Sequence, residues 1–153
     1  MTKTSKYILR LLSLFLPCML LAAGIQAGEE VKINIIFEKY GKQKGSTMVV
    51  LSGKSLHDYR LDKYQGITLK YDKDILDEIQ RCLESDKKQA RQIKEVISNG
   101  IITSGYYQLT EEESPVNRYI LFKIGDDGTA TLIYMEGGQE SEELVNRLFI
   151  KEK

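Results

Sequence analysis

The sequence has no tryptophan, one histidine, two cysteines and two prolines in 153 residues. A single histidine, His57, means that a zinc site built from His and Cys would have to borrow most of its ligands from carboxylates. His57 adjoins Asp58 and follows Ser55 by two positions. Contiguous residues do not deliver a nucleophile, a base and an orienting group to one point, so this reads as a surface loop and not as a triad. A glycine-rich phosphate loop, a Gly-x-Ser-x-Gly elbow and a His-Glu-x-x-His helix are all missing. Neither sign of charge is in excess, with 22 basic and 22 acidic residues. The basic residues are interleaved with Asp and Glu and form no basic face, which argues against nucleic acid as a partner. No catalytic constellation and no cofactor or metal site is expected.

Long apolar runs are also scarce. The longest, Leu11 to Ala23, spans 13 residues behind Lys3, Lys6 and Arg10 and ends near Ile25-Gln26-Ala27. It is shorter than the roughly 20 residues of a membrane-spanning helix and has the form of a signal peptide. The expected division is a signal peptide over 1–27, with cleavage after Ala27 and Gly24 as second choice, then a single α+β domain over 28–153. The protein is then exported, to the periplasm or beyond, without a transmembrane segment. Cys18 invites a lipid anchor, but Pro17 precedes it where a lipobox carries a small residue, and the apolar run continues behind it. Loss of Lys3, Lys6 and Arg10 leaves 19 basic against 22 acidic residues, a charge near −3. The mature chain keeps one cysteine, Cys82, so stability must come from packing, and about 126 residues bury roughly two thirds of their unfolded surface.

What remains is readable as elements. Ile33, Ile36, Phe37 and Tyr40 recur at helical spacing before Gly41, and Thr47 to Leu51 is a β-rich run. Gly53 to Gly66 has no clear period. Ile67, Leu69 and Tyr71 alternate as a second strand. From about Asp74 to Asn99 the spacing predicts the longest helix, with Asp72 or Asp74 as N-cap, Asn99-Gly100 as terminator, and one stripe of Ile75, Ile79, Cys82, Leu83, Ala90, Ile93, Val96 and Ile97. Asp86 falls in the middle of that stripe. Either the helix overhangs the core there, or it breaks and Asp86 caps a second helix; the continuous helix is preferred.

Ile101 to Thr110 reads as a strand in which Gly105 marks a bulge or a close backbone approach and Tyr106 and Tyr107 face opposite ways. The acidic loop Glu111 to Pro115 leads into a hairpin from Arg118 to Glu136 around Gly125-Asp126-Asp127-Gly128. With Asp127-Gly128 as a two-residue turn, Ile120, Phe122 and Ile124 share a face with Thr131, Ile133 and Met135, and Tyr119 shares the other with Tyr134. Asp126-Asp127-Gly128 is turn chemistry and lacks the alternating ligands of a calcium loop. Ser141 can cap a last helix with a stripe of Leu144, Val145, Leu148 and Phe149. The predicted fold is α+β: an antiparallel sheet of about five strands with a long central helix and N- and C-terminal helices packed on one face.

Nine tyrosines stand out against the missing tryptophan. Tyr106, Tyr119 and Tyr134 fall on adjoining strands and are the candidate ligand-binding residues, because a tyrosine-rich sheet face can bind a protein, peptide or glycan. Cys82, on the apolar stripe, reads as an inert buried thiol.

Gly41 to Ser52, Asp86-Lys87-Lys88 through Lys94 to Gly100, Gly105 to Leu109, Arg118 to Lys123 and Leu132 to Gly137 together resemble a domain-of-unknown-function family of small exported proteins from gut-dwelling Gram-negative bacteria. The resemblance covers most of the mature chain. It implies an accessory role in the cell envelope, of the kind encoded near envelope-stress systems, and carries no catalytic residue. The functional expectation is a non-catalytic envelope binding domain; the alternatives are a carboxylate-based hydrolase and a structural or regulatory subunit that pairs through a strand edge.

Overall fold

The computed structural model describes residues 30–109 and 116–138, within a chain that divides into the units Met1–Glu30 and Val31–Lys153. The signal peptide with Cys18, the acidic loop at Glu111 to Pro115 and the helix proposed from Ser141 lie outside the described residues. The second unit is α+β, with one open antiparallel sheet of six strands and few helices. In chain order the elements are α1 (Asn34–Tyr40), β1 (Thr47–Leu51), α2 (Lys54–Asp58), β2 (Leu61–Lys70), α3 (Lys73–Asp86), a 3₁₀ turn (Lys87–Gln89), β3 (Ala90–Ser98), β4 (Ile101–Leu109), β5 (Asn117–Ile124) and β6 (Thr129–Gly137). The strands lie in the order β1-β2-β6-β5-β4-β3, which leaves β1 and β3 as the edges.

The first helix forms where its apolar spacing predicts it, burying Ile36, Phe37 and Tyr40. Gly41 ends it for a steric reason: a Cβ there would overlap Met48 Sδ and the Phe37 carbonyl oxygen. The unreadable stretch from Gly53 resolves into the one-turn helix α2, which buries Leu56, and the start of β2. Its alternation fails because the register shifts between Leu61 and Lys63.

The longest predicted helix is corrected to about half its length. α3 starts as expected, with the Asp72 side chain accepting the Ile75 N–H at 2.9 Å, and buries Ile79, Cys82 and Leu83. It stops at Asp86, and residues 90–98 form the sixth strand. Two local signals decide this. Ile93, Val96 and Ile97 add β-branched density that a strand favours. Asn99 and Gly100 both have positive φ, 52° and 77°, and Ser98 pairs with Ile101, so Asn-Gly is the two-residue turn of a β3–β4 hairpin and not a helix terminator.

Asp86, only 2% exposed, neither overhangs the core nor caps a following helix. Its carboxylate accepts the backbone N–H groups of Lys32 at 2.7 Å and Ile33 at 3.0 Å. These are donors at the start of α1 that have no partner within the helix. An acid on the inner face of one helix thus completes the start of another. Burial pushes its carboxyl above the usual range, outweighing the two N–H bonds.

The β5–β6 hairpin exists but turns differently. Gly125 N–H donates to the Thr129 carbonyl at 2.8 Å, Gly128 has φ 76°, and Ile124 pairs with Ala130, giving a three-residue loop over 126–128. Asp127 Oδ1 holds this loop, accepting Thr129 N–H at 3.2 Å and Thr129 Oγ1–H at 2.5 Å. One extra loop residue slips the register by one and exchanges the faces of β6. Phe122 therefore faces Leu132, Ile120 faces Tyr134 and Tyr119 faces Met135.

Both faces of the sheet are packed. Ile33, Ile36 and Phe37 of the α1 region and Ile79, Cys82 and Leu83 of α3 cluster with Ile67, Leu69, Ile120, Phe122, Leu132 and Tyr134. On the other side Leu56 of α2 joins Leu61, Tyr106, Tyr119 and Met135. Among the described helices, then, α1 and α3 serve one face and α2 the other, which corrects the expectation of helices on one face only.

Candidate functional site at the β3 edge

The three candidate tyrosines do not share a platform. Tyr106 and Tyr119 lie on the α2 side with ring centroids 6.4 Å apart, whereas Tyr134 lies among the α1 and α3 residues. All three are buried, at 6%, 0% and 3% exposure. The Tyr134 hydroxyl donates to Glu136 Oε1 at 2.6 Å, and burial, then that carboxylate, push its pKa well up. Lys63 Nζ stands over the Tyr134 ring, 5.5 Å from its centroid. These tyrosines are core residues, and Tyr134 turns its polar tip to Glu136.

The reactive side chains singled out from the sequence are equally dispersed. His57 sits exposed on α2 between a buried Leu56 and an exposed Asp58. Cys82 is buried, and its thiol is pushed up to about 11 by burial first and then by the charges of Asp86 and Glu78, so it stays protonated and unreactive at neutral pH. Among the described residues no three His, Cys, Asp or Glu side chains come together as a metal group. Asp127 is occupied by the turn.

Two polar networks were not foreseen. Tyr107, 1% exposed, lays its ring over Gly105, where a Cβ would stand 2.6 Å from its hydroxyl oxygen. The ring can cross the neighbouring residue only because that residue has no side chain. Its hydroxyl then donates to Glu95 Oε1 on β3 at 2.7 Å, and Lys87 Nζ bridges the same oxygen, at 3.4 Å, to Glu84 at 2.9 Å. The second network completes β4. Ile102 lies beyond the β4–β5 pairing, which begins at Ser104, and its N–H and C=O are met by the Gln80 side-chain amide of α3, both at 2.9 Å. Gln80 stands in for the missing length of neighbouring strand. Gly105 signalled the first network in the sequence; nothing local signalled the second.

The first network holds β3 on its inner side, while its outer side is unpaired among the described residues. Among the described residues β3 pairs with β4 and with no other strand. Ile93, Val96 and Ile97 are 45%, 59% and 57% exposed, and Ile101 beyond the turn is 38% exposed. The register puts Ile93 beside Tyr107 and Val96 beside Ser104, so these side chains line both faces of the rim. Lys88, Arg91 and Lys94 are exposed along the same border and make no ion pair among the described residues. The opposite edge, β1, is five residues long and uncharged, with Val49 and Val50 exposed. A nine-residue open strand presents about 30 Å of backbone whose outward N–H and C=O groups can accept another strand.

A family model matches residues 20–148, and its description is a family of unknown function, DUF6108. The chain belongs to that family. A search of the curated proteins finds no match for this DUF6108 chain. Among solved structures, a Pseudomonas aeruginosa protein of unknown function, PA94, aligns over 72% of this chain and 80% of its own at 12% identity and a TM-score of 0.36, a likeness too distant to carry fold or function across. Among its described residues no helix is long and apolar enough to cross a membrane.

Proposed function

We propose that this DUF6108 chain is an exported interaction domain, acting in the envelope or outside it, that works by contact and engages a protein partner through the open edge of β3. The observation that carries this reading is the β3 border, where exposed Ile93, Val96 and Ile97 lie on a strand braced from behind by Tyr107, Glu95 and Lys87. An edge that exposes apolar side chains templates pairing, and its charges restrict which strands can pair there. A specific partner gives it a use. Export is supported by the basic residues and 13-residue apolar run at the start of the chain. The tyrosine platform is set aside in favour of the edge, since Tyr106, Tyr119 and Tyr134 are buried and divided between two faces. The hydrolase alternative has no observation in its favour: Asp86, Glu95 and Glu136 are each engaged in bonds that hold the fold together.

The test is affinity capture from an envelope extract with the purified protein, its Val96→Lys/Ile97→Lys variant, and a Val49→Lys/Val50→Lys control on the other edge. The replaced side chains are exposed, so all three proteins should melt alike. Loss of a captured protein with the β3 variant alone supports the reading. Identical capture by all three overturns it.

A further inference from the structure

The charges on the β3 border narrow what can pair there. On the face shared with Tyr106 and Gln108 the strand presents Gln92, Lys94 and Val96; on the face shared with Tyr107 it presents Ile93, Glu95 and Ile97. Glu95, intermediate in exposure, already accepts from Tyr107 and Lys87. Lys88, Arg91 and Lys94 are exposed and have no acidic neighbour among the described residues. An incoming strand therefore meets two isoleucines, a valine and a row of cations that form no ion pair among the described residues.

Resting on the reading of β3 as the contact edge, we infer that its occupant is an extended segment of another protein in which carboxylates alternate with β-branched residues. A second copy of this chain fits poorly. Two β3 strands meeting antiparallel with their faces continuous must set residues of like parity opposite one another. A two-fold centred on Lys94 opposes two ammoniums, and one centred on Glu95 opposes two carboxylates; like charges directly across a strand pair destabilise it. Centring on Ile93 sets Arg91 against Glu95, whose oxygen is committed to Tyr107 and Lys87. Centring on Val96 opposes no like charges but pairs only residues 94–98, five positions of the strand. The same cations that repel a copy attract a strand of opposite charge. Register shifts between Ala90 and Gln92 and between Val96 and Ile97 confine the regular pairing with β4 to residues 92–96, with Arg91 and Lys88 left to reach acidic groups beyond that stretch.

Fluorescence anisotropy tests this with two labelled peptides, Thr-Val-Thr-Thr-Glu-Ile-Glu-Asp and the same peptide with lysine in place of each acid. The expected result is at least tenfold tighter binding of the acidic peptide, weakening with added salt, and an inverted preference in the Arg91→Glu/Lys94→Glu variant. Both replaced side chains are exposed, and a thermal melt verifies that the variant folds. No binding of the acidic peptide, or equal binding of the two, overturns the inference. If sedimentation then finds self-association that Val96→Lys abolishes, the occupant is a second copy and the β3 reading survives. If self-association, capture and peptide binding are all indifferent to β3 substitutions, the reading itself falls with the inference.

Discussion

Replacing Asp86 with alanine should loosen the start of α1 from a site 53 residues away in sequence. The variant strips the acceptor from two N–H donors, Lys32 at 2.7 Å and Ile33 at 3.0 Å. Ile33 is fully buried, so water does not replace the lost partner there, and an orphaned buried donor costs about 1–3 kcal/mol. Lys32 is exposed and its N–H recovers part of its loss from solvent. The carboxylate itself is held at a cost, since burial raises its pKa, and removing it returns some of that. The balance is a loss of about 1–3 kcal/mol, or about 4–12 °C in Tm for a domain of this size. Asp86→Asn keeps one acceptor without a desolvated charge but turns its NH2 on the second donor, so it should lose less than the alanine variant. Because the folded pKa lies above the unfolded one, Asp86 contributes most stability below the unfolded carboxylate range, and that contribution is lost as pH rises through the folded value. Wild type should therefore lose ground against Asp86→Asn with increasing pH. Urea denaturation across pH, with hydrogen exchange at the Lys32 and Ile33 amides, measures all of this. An alanine variant within 0.5 kcal/mol of wild type, or an asparagine variant as damaged as alanine, would refute the reasoning.

Further outcomes follow from the same bonds. Gly105→Ala forces the Tyr107 ring off its path and should cost about 1–3 kcal/mol, and much less when Tyr107 is already Ala, which a double-mutant cycle by urea denaturation checks. Gln80→Ala leaves the Ile102 N–H and C=O without their amide; about 1–3 kcal/mol should be lost, with faster exchange at the Ile102 amide as the local sign. Glu78 is held below the usual carboxylate range by the Tyr40 hydroxyl, at 2.6 Å, and by Lys39. Its contribution is present above its unfolded pKa and disappears as pH falls through the folded value, so Glu78→Gln should flatten the acid side of the stability profile.

The sequence was legible where each element follows from its own residues. α1 has its apolar stripe, β1 its branched run, and Gly105 announced the close approach that Tyr107 makes. It misled where two structures share a signal. Ile93, Val96 and Ile97 match a helical period as well as a strand, and Asn99-Gly100 ends a helix as readily as it turns a hairpin. Asp86 was the warning, because a charge in an apolar stripe needs a partner; that partner is brought in only by tertiary structure. The tyrosine platform failed through a single loop residue. Asp127-Gly128 suits a two-residue or a three-residue turn, and the longer one moved Tyr134 to the face opposite Tyr119. The β3 border was hidden because its strand was read as helix.

The seam between β2 and β6 lies near the middle of the sheet, yet it joins Leu61 to Gly137 and Lys70 to Thr129. A growing chain can assemble β1 with β2, and later β3 with β4 and β5, but no strand links those two groups until β6 is delivered. Contacts so distant in sequence form slowly. A polypeptide cut short before residue 129 would hold one hairpin and one three-stranded meander with no strand between them, and even an intact one must wait for β6 before the sheet can close.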